Sequence, residues 1–169
     1  MGGGSVTNML RASIVGLLAL CLASAANAQA LTHPFHFFEG ATEMISMVDL
    51  VTKDPYRART TGQGKIQSDG SLVLIQQVAD AGHRPYQRRW HMRQVGPGRF
   101  SGTMTEAKGP VTAEQIRGRY RFRFKMKNGI SIEQWLTPLA GGTAARSRII
   151  IRKLGIKVGT STGIIRKLR

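Results

Sequence analysis

The chain has 169 residues, 41% hydrophobic and 20% charged, a mixture that suits one globular domain and not a disordered chain. Lys and Arg number 25 against 9 Asp and Glu, a formal charge of +16, and there is a single cysteine. These counts exclude a disulfide scaffold, a cysteine-ligated zinc fold and a polytopic membrane protein, and leave a small, very basic, glycine-punctuated domain.

The first thirty residues carry one charge, Arg11, and the apolar run from Ile14 to Ala23, which is shorter than the roughly 20 residues a bilayer span needs. Ala26-Asn27-Ala28 then supplies the small-x-small pattern of a signal-peptidase site, with Ala28-Gln29-Ala30 as the alternative. The expectation is a secretory signal peptide over 1–28 and a single barrel domain over 29–169. Cys21 lies inside the apolar run and follows Leu20, so it does not match a lipoprotein anchor and leaves with the peptide. Loss of Arg11 leaves 24 basic residues against 9 acids, or +15, and no second apolar stretch follows. The expected location is the periplasm, or secretion from the envelope of a Gram-negative bacterium, with no transmembrane span after cleavage.

His33-Pro34-Phe35-His36 with Glu39 gives an i, i+3, i+6 series of metal-ligand types. Beside a proline and next to the expected cleavage site, it reads as a mobile N-terminal segment. No metal and no cofactor is expected.

From here the chain is punctuated by Ser68-Asp69-Gly70, Asp80-Ala81-Gly82, Gly96-Pro97-Gly98, Lys108-Gly109-Pro110, Lys127-Asn128-Gly129 and Ala140-Gly141-Gly142. Short stretches between these turns alternate or are rich in β-branched and aromatic residues, the pattern of an antiparallel meander. Strands are predicted over 40–52, 57–67, 71–78, 85–94, 99–106, 111–116, 119–126, 130–138 and 143–153. Thr112-Ala113-Glu114-Gln115 also suits a short helix start. In the run 119–126, Tyr120, Phe122, Phe124 and Met126 share one face and Arg119, Arg121, Arg123 and Lys125 the other. A three-residue Lys127-Asn128-Gly129 loop sets Phe124 against Ile132, Tyr120 against Leu136 and Arg123 against Glu133, so that like meets like and opposite charges meet. That register also sends Gln134 inward beside Phe122, where it needs a partner. The last segment, Thr162 to Arg169, is predicted as a short C-terminal helix docked through Ile164, Ile165 and Leu168.

Nine or so such strands leave costly exposed edges if the sheet stays open. The fold class expected is all-β, an antiparallel up-and-down barrel of about 8–10 strands. Phe37-Phe38-Glu39-Gly40, the Asp69-Gly70 turn, Arg88-x-Trp90 and Gln134-Trp135-Leu136 together resemble short exported proteobacterial proteins grouped as a domain-of-unknown-function family. The likeness runs over most of Phe37 to Leu168. It implies a lipocalin-like (calycin) barrel and carries no catalytic residues.

The residues themselves offer no Gly-x-Ser-x-Gly elbow, no phosphate loop, no nucleophilic cysteine and no close carboxylate pair, so no enzyme is expected. His91 alternates outward from Trp90 and reads as a surface residue. Candidate cavity residues are Tyr86, Arg88, Trp90 and Met92, with Phe122 and Gln134 across the barrel. Phe100, Gly102 and Met104 share an inward face on the next strand, and Gly62 and Gly64 leave room beside Ile66. Arg88 is placed to meet the carboxylate or phosphate of an acyl ligand. The second signal is external: Arg119, Arg121, Arg123 and Lys125 repeat at roughly 7 Å along one strand, and after Glu133 only cations follow, Arg148 and Arg152 among them. Nucleic acid is not expected, because the interleaved aromatics are needed for the core instead of facing solvent as stacking platforms. Two functions stand open: a non-catalytic carrier of a lipid or other amphiphile, and an adaptor whose basic wall docks anionic lipid, lipopolysaccharide or an acidic protein.

Overall fold

The computed structural model describes residues 33–81 and 84–169. The expected signal peptide, Cys21 and His83 lie outside the described residues. A short helix, α1 (Pro34–Phe38), precedes ten antiparallel strands: β1 (Gly40–Leu50), β2 (Lys53–Ile66), β3 (Leu72–Asp80), β4 (Tyr86–Gly96), β5 (Arg99–Met104), β6 (Val111–Ile116), β7 (Arg119–Lys125), β8 (Ile130–Pro138), β9 (Ala144–Lys153) and β10 (Ile156–Lys167). Each strand pairs with its neighbours in sequence, and β1 pairs with β10, so the sheet closes into an up-and-down barrel of the lipocalin or calycin kind.

The β7–β8 hairpin has the expected register: Phe124 faces Ile132, Tyr120 faces Leu136 and Arg123 faces Glu133. Gly129 takes the positive φ of +85° that its loop requires. Segment 111–116 is a strand throughout, which removes the helical alternative there. Gln134 finds its inward partner in Ser147, donating from Nε2 to Oγ at 2.9 Å. Ser147 is 1% exposed, so replacing Gln134 by leucine strands that hydroxyl and is expected to cost about 1–2 kcal/mol, read as a lower urea midpoint. An unchanged midpoint would mean the hydroxyl finds another partner.

Three expectations are corrected. The C-terminal segment is not a helix: its residues through Lys167 are the second half of β10, with Ile164 opposite Ile45 and Ile165 opposite Met44. Ile164, Ile165 and Leu168 have helical spacing, but a strand there satisfies the open edges of β1 and β9 together, which a docked helix leaves unpaired. The N-terminal segment is not mobile. It forms α1, with His33 as N-cap accepting from the Phe35 N–H at 3.3 Å and Pro34 at the first turn. Phe35, Phe37 and Phe38 are buried, and the His33 and Phe35 rings meet Phe100 edge-on or tilted, at 5.7 and 5.3 Å. Helix α1 is therefore a plug at one barrel end. Thirdly, Gly62 and Gly64 leave no room: a Cβ at Gly64 would overlap the Phe38 carbonyl, and one at Gly62 would lie 2.6 Å from Thr42 Oγ1. The missing side chains let the plug and β1 approach.

Candidate functional site

Beneath the plug lies a cavity of about 90 Å³, where one water occupies roughly 10–15 Å³. Pro34, Phe35 and Phe38 of α1 form its cap, Leu72, Leu74, Trp90, Met92 and Phe100 one wall, and Phe122, Leu136, Ile149 and Ile165 the opposite one. Five polar side chains reach it: Thr42, Thr60, Gln76, Arg88 and Gln134. Two of these are already engaged with the wall. Gln76 Oε1 accepts from Trp90 Nε1 at 2.7 Å, and Gln134 holds Ser147.

Of the predicted cavity residues, Arg88, Trp90, Met92, Phe122 and Gln134 line this space together. Tyr86 does not; it is exposed beyond Arg88, toward the end that α1 leaves uncovered. It takes part indirectly, because its hydroxyl accepts from Arg88 Nη2 at 3.0 Å. Sequence reasoning missed Glu106, whose carboxylate receives Arg88 Nε at 3.0 and 3.1 Å and Nη2 at 3.1 Å. This fork-to-fork pair neutralises the guanidinium at the cavity wall. Arg88 thus offers no free charge to an anionic head. Trp90 meets Phe124 edge-on at 5.4 Å. Glu106 lies in the turn just past β5, yet on the predicted strand 99–106 it shares the inward parity of Phe100, Gly102 and Met104, so its signal was present and passed over. Thr42, Thr60 and Gln76 were legible by counting inward positions along β1–β3.

Burial raises the hydroxyl pKa of Tyr120, Tyr86 and Tyr56 above the ordinary tyrosine value. Asp80 pushes Tyr56 further up; for Tyr86 the Arg88 charge opposes the rise while Glu106 and Asp80 add to it. A raised native value means stability that is complete below about pH 10 and lost as pH climbs through the native values. Alkaline titration should therefore show Tyr120, which is 2% exposed, ionising above the ordinary tyrosine value while the barrel stays folded. All three tyrosines ionising at the ordinary value in a folded barrel would contradict this.

The predicted basic residues all lie on β7 and β9, but β8 runs between those strands and breaks the wall. Arg121 and Arg123 both bond Glu114 on β6. Arg119 and Arg121 stack over the Trp135 ring, at 4.7 and 5.4 Å from its centroid, and Trp135 Nε1 donates to Glu133 at 2.9 Å. Arg148 stands opposite Trp135 on the other side. Arg123, Lys125 and Arg152 come together with Ser131 and Glu133 around a shallow outer depression of about 380 Å³; its breadth to solvent makes it a surface feature, not an enclosure. His91 is exposed as expected and meets Ser71 Oγ at 3.1 Å. Among the described residues no helix is long and apolar enough to cross a membrane.

No family model matches the chain, and no curated protein matches it. Solved structures do match in fold. An S-type phycobiliprotein lyase from Guillardia theta superposes with a TM-score of 0.61 at 7% identity, covering 80% of this chain and 91% of its own. The protein Rv2717c from M. tuberculosis does so with a TM-score of 0.59 at 11% identity, covering 80% and 96%. At such identities the likeness establishes the closed barrel.

Proposed function

We propose that this protein is an exported, non-catalytic β-barrel of the cell envelope that binds one small, largely apolar molecule with an uncharged polar end. The observation that carries the proposal is the cavity under α1, partly open to solvent and walled by aliphatic and aromatic side chains with a few convergent polar groups. Its lining includes no histidine, cysteine, serine or carboxylate, which supports binding over chemistry. The ligand's size follows from the volume: roughly half a dozen waters' worth, suited to a ring system or a short acyl chain and not a whole phospholipid. Its charge follows from Glu106, which already occupies Arg88. Export rests on the signal-like first thirty residues.

The test is calorimetric titration with a medium-chain alcohol and the matching carboxylic acid. The alcohol is expected to bind more tightly than the acid, and Ile149→Phe, which fills the cavity, to abolish both. Absence of binding to either, or binding unaffected by Ile149→Phe, would overturn the reading.

A further inference from the structure

Away from α1, the barrel ends in the β1–β2, β3–β4, β5–β6, β7–β8 and β9–β10 turns. The β9–β10 turn contains an anomaly. Leu154 and Gly155 form its two-residue loop between the paired Lys153 and Ile156, both with positive φ, +51° and +81°. This is the turn type that favours Asn-Gly or Asp-Gly. A leucine there accepts backbone strain, and its side chain is 91% exposed, so it gains no packing in return. Ile156 beside it is 71% exposed, and Val51, on the turn bonded to the same hairpin (N to Val158 O, 3.1 Å), is 75% exposed. Three aliphatic tips therefore project side by side from one end of the molecule.

Charge gathers around them. The chain has eight lysines, and six of them, Lys53, Lys108, Lys125, Lys127, Lys153 and Lys157, stand at this end, all exposed. Just behind the tips, Lys125, Ser131 and Arg152 lie opposite one another across β7, β8 and β9, so two cations flank a hydroxyl. The carboxylates of this end are Asp49, Asp54 and Asp80 on the β1–β4 side, Glu106, which Arg88 holds, and, behind Ser131 on β8, Glu133, which faces Arg123 and accepts from Trp135 Nε1. The β5–β10 side thus presents lysines around the aliphatic apex with no free carboxylate among its turns.

We infer that this end docks on an anionic phospholipid membrane, with Leu154, Ile156 and Val51 entering the interface and the lysines meeting lipid phosphates. Arg117-Gly118 also takes positive φ at both positions, but at Leu154 the strained position also exposes a large apolar side chain, a local exception of the kind expected at functional or strained sites. Separate projecting tips ringed by flexible point charges suit a fluid, anionic interface better than a shape-matched protein patch. The inference uses no cavity residue and stands whether or not the barrel holds a ligand.

The experiment is co-sedimentation of the protein, purified after expression of the full chain, with vesicles of phosphatidylcholine alone and of an equal mixture with phosphatidylglycerol. Binding is expected to the mixed vesicles only, and to weaken as salt rises. Leu154→Asn supplies the residue the turn favours, so its melting temperature should hold or rise while vesicle affinity falls about fivefold or more. The pair Lys153→Glu and Lys157→Glu should lower affinity at least about tenfold. The inference is overturned by equal binding of all three proteins, or by no binding at all. It is also overturned if binding falls only in Arg146→Glu/Arg148→Glu, which would place the contact on the wall. A dimer in solution that Leu154→Asn dissolves would likewise overturn it, by making the tip a protein interface.

Discussion

Replacing Gly64 by alanine unseats the N-terminal plug and costs the barrel about 2–4 kcal/mol. Gly64 lies opposite Gly40 where β1 starts, and an added Cβ would overlap the Phe38 carbonyl and carbon. Backbone atoms cannot rotate away as a flexible side chain can, so either β2 bends outward or α1 lifts. Lifting α1 exposes Phe35, Phe37 and Phe38, which pack with the core residues Leu72, Phe100 and Met92. At about 25 cal/mol per Å² of apolar surface, even partial exposure of three phenylalanines reaches that magnitude. Thermal denaturation checks the loss, and hydrogen exchange across 35–39 locates it. Gly64→Ala melting like the parent, with those amides still protected, would refute the role of the plug.

Removing the Glu106 carboxylate, as in Glu106→Ala, is the second large effect and acts on binding as well as stability. Arg88 is 19% exposed and Glu106 27%, so the pair is neither fully buried nor well screened. Deleting the acid leaves a guanidinium at an apolar wall with the Tyr86 hydroxyl as its acceptor among the described residues, at a cost of about 1–3 kcal/mol. The double change Arg88→Met/Glu106→Met should recover most of that loss. For binding, the freed guanidinium acquires the task the sequence suggested for it, so the carboxylic acid should gain at least about tenfold over the alcohol. Parallel calorimetric titrations of parent and variant measure the reversal. An unchanged acid-to-alcohol ratio would mean Arg88 does not face the ligand.

These two positions also show what the sequence conveyed. Period-two alternation placed Arg88, Trp90, Met92, Phe122 and Gln134 on the inner face, and turn spacing with pairing logic set the β7–β8 register. Alternation gives the face of a residue but not its depth, which is why Tyr86 shares parity with Trp90 yet stands outside the cavity. A glycine in a strand reads as space, but at Gly64 the space is filled by a carbonyl from a distant segment. The turn at Val51-Thr52 contains neither glycine nor proline, so β2 was expected to start at Arg57 when it starts at Lys53. β10 was hidden for a related reason. Its inward positions Gly159, Ser161 and Gly163 are small where β1 passes close, and that lack of apolar alternation removed the usual strand signal. The outer cations were legible one by one, whereas their pairing with Glu114 and stacking on Trp135 depend on strand order.

The barrel is proposed to hold a small ligand beneath α1, and native mass spectrometry of the purified protein, followed by solvent extraction, tests this most directly. The expected result is one bound molecule per chain, apolar and uncharged and no larger than a short acyl chain or a ring system, absent from Ile149→Phe. A bare polypeptide mass that stays bare after incubation with medium-chain alcohols and acids would contradict it.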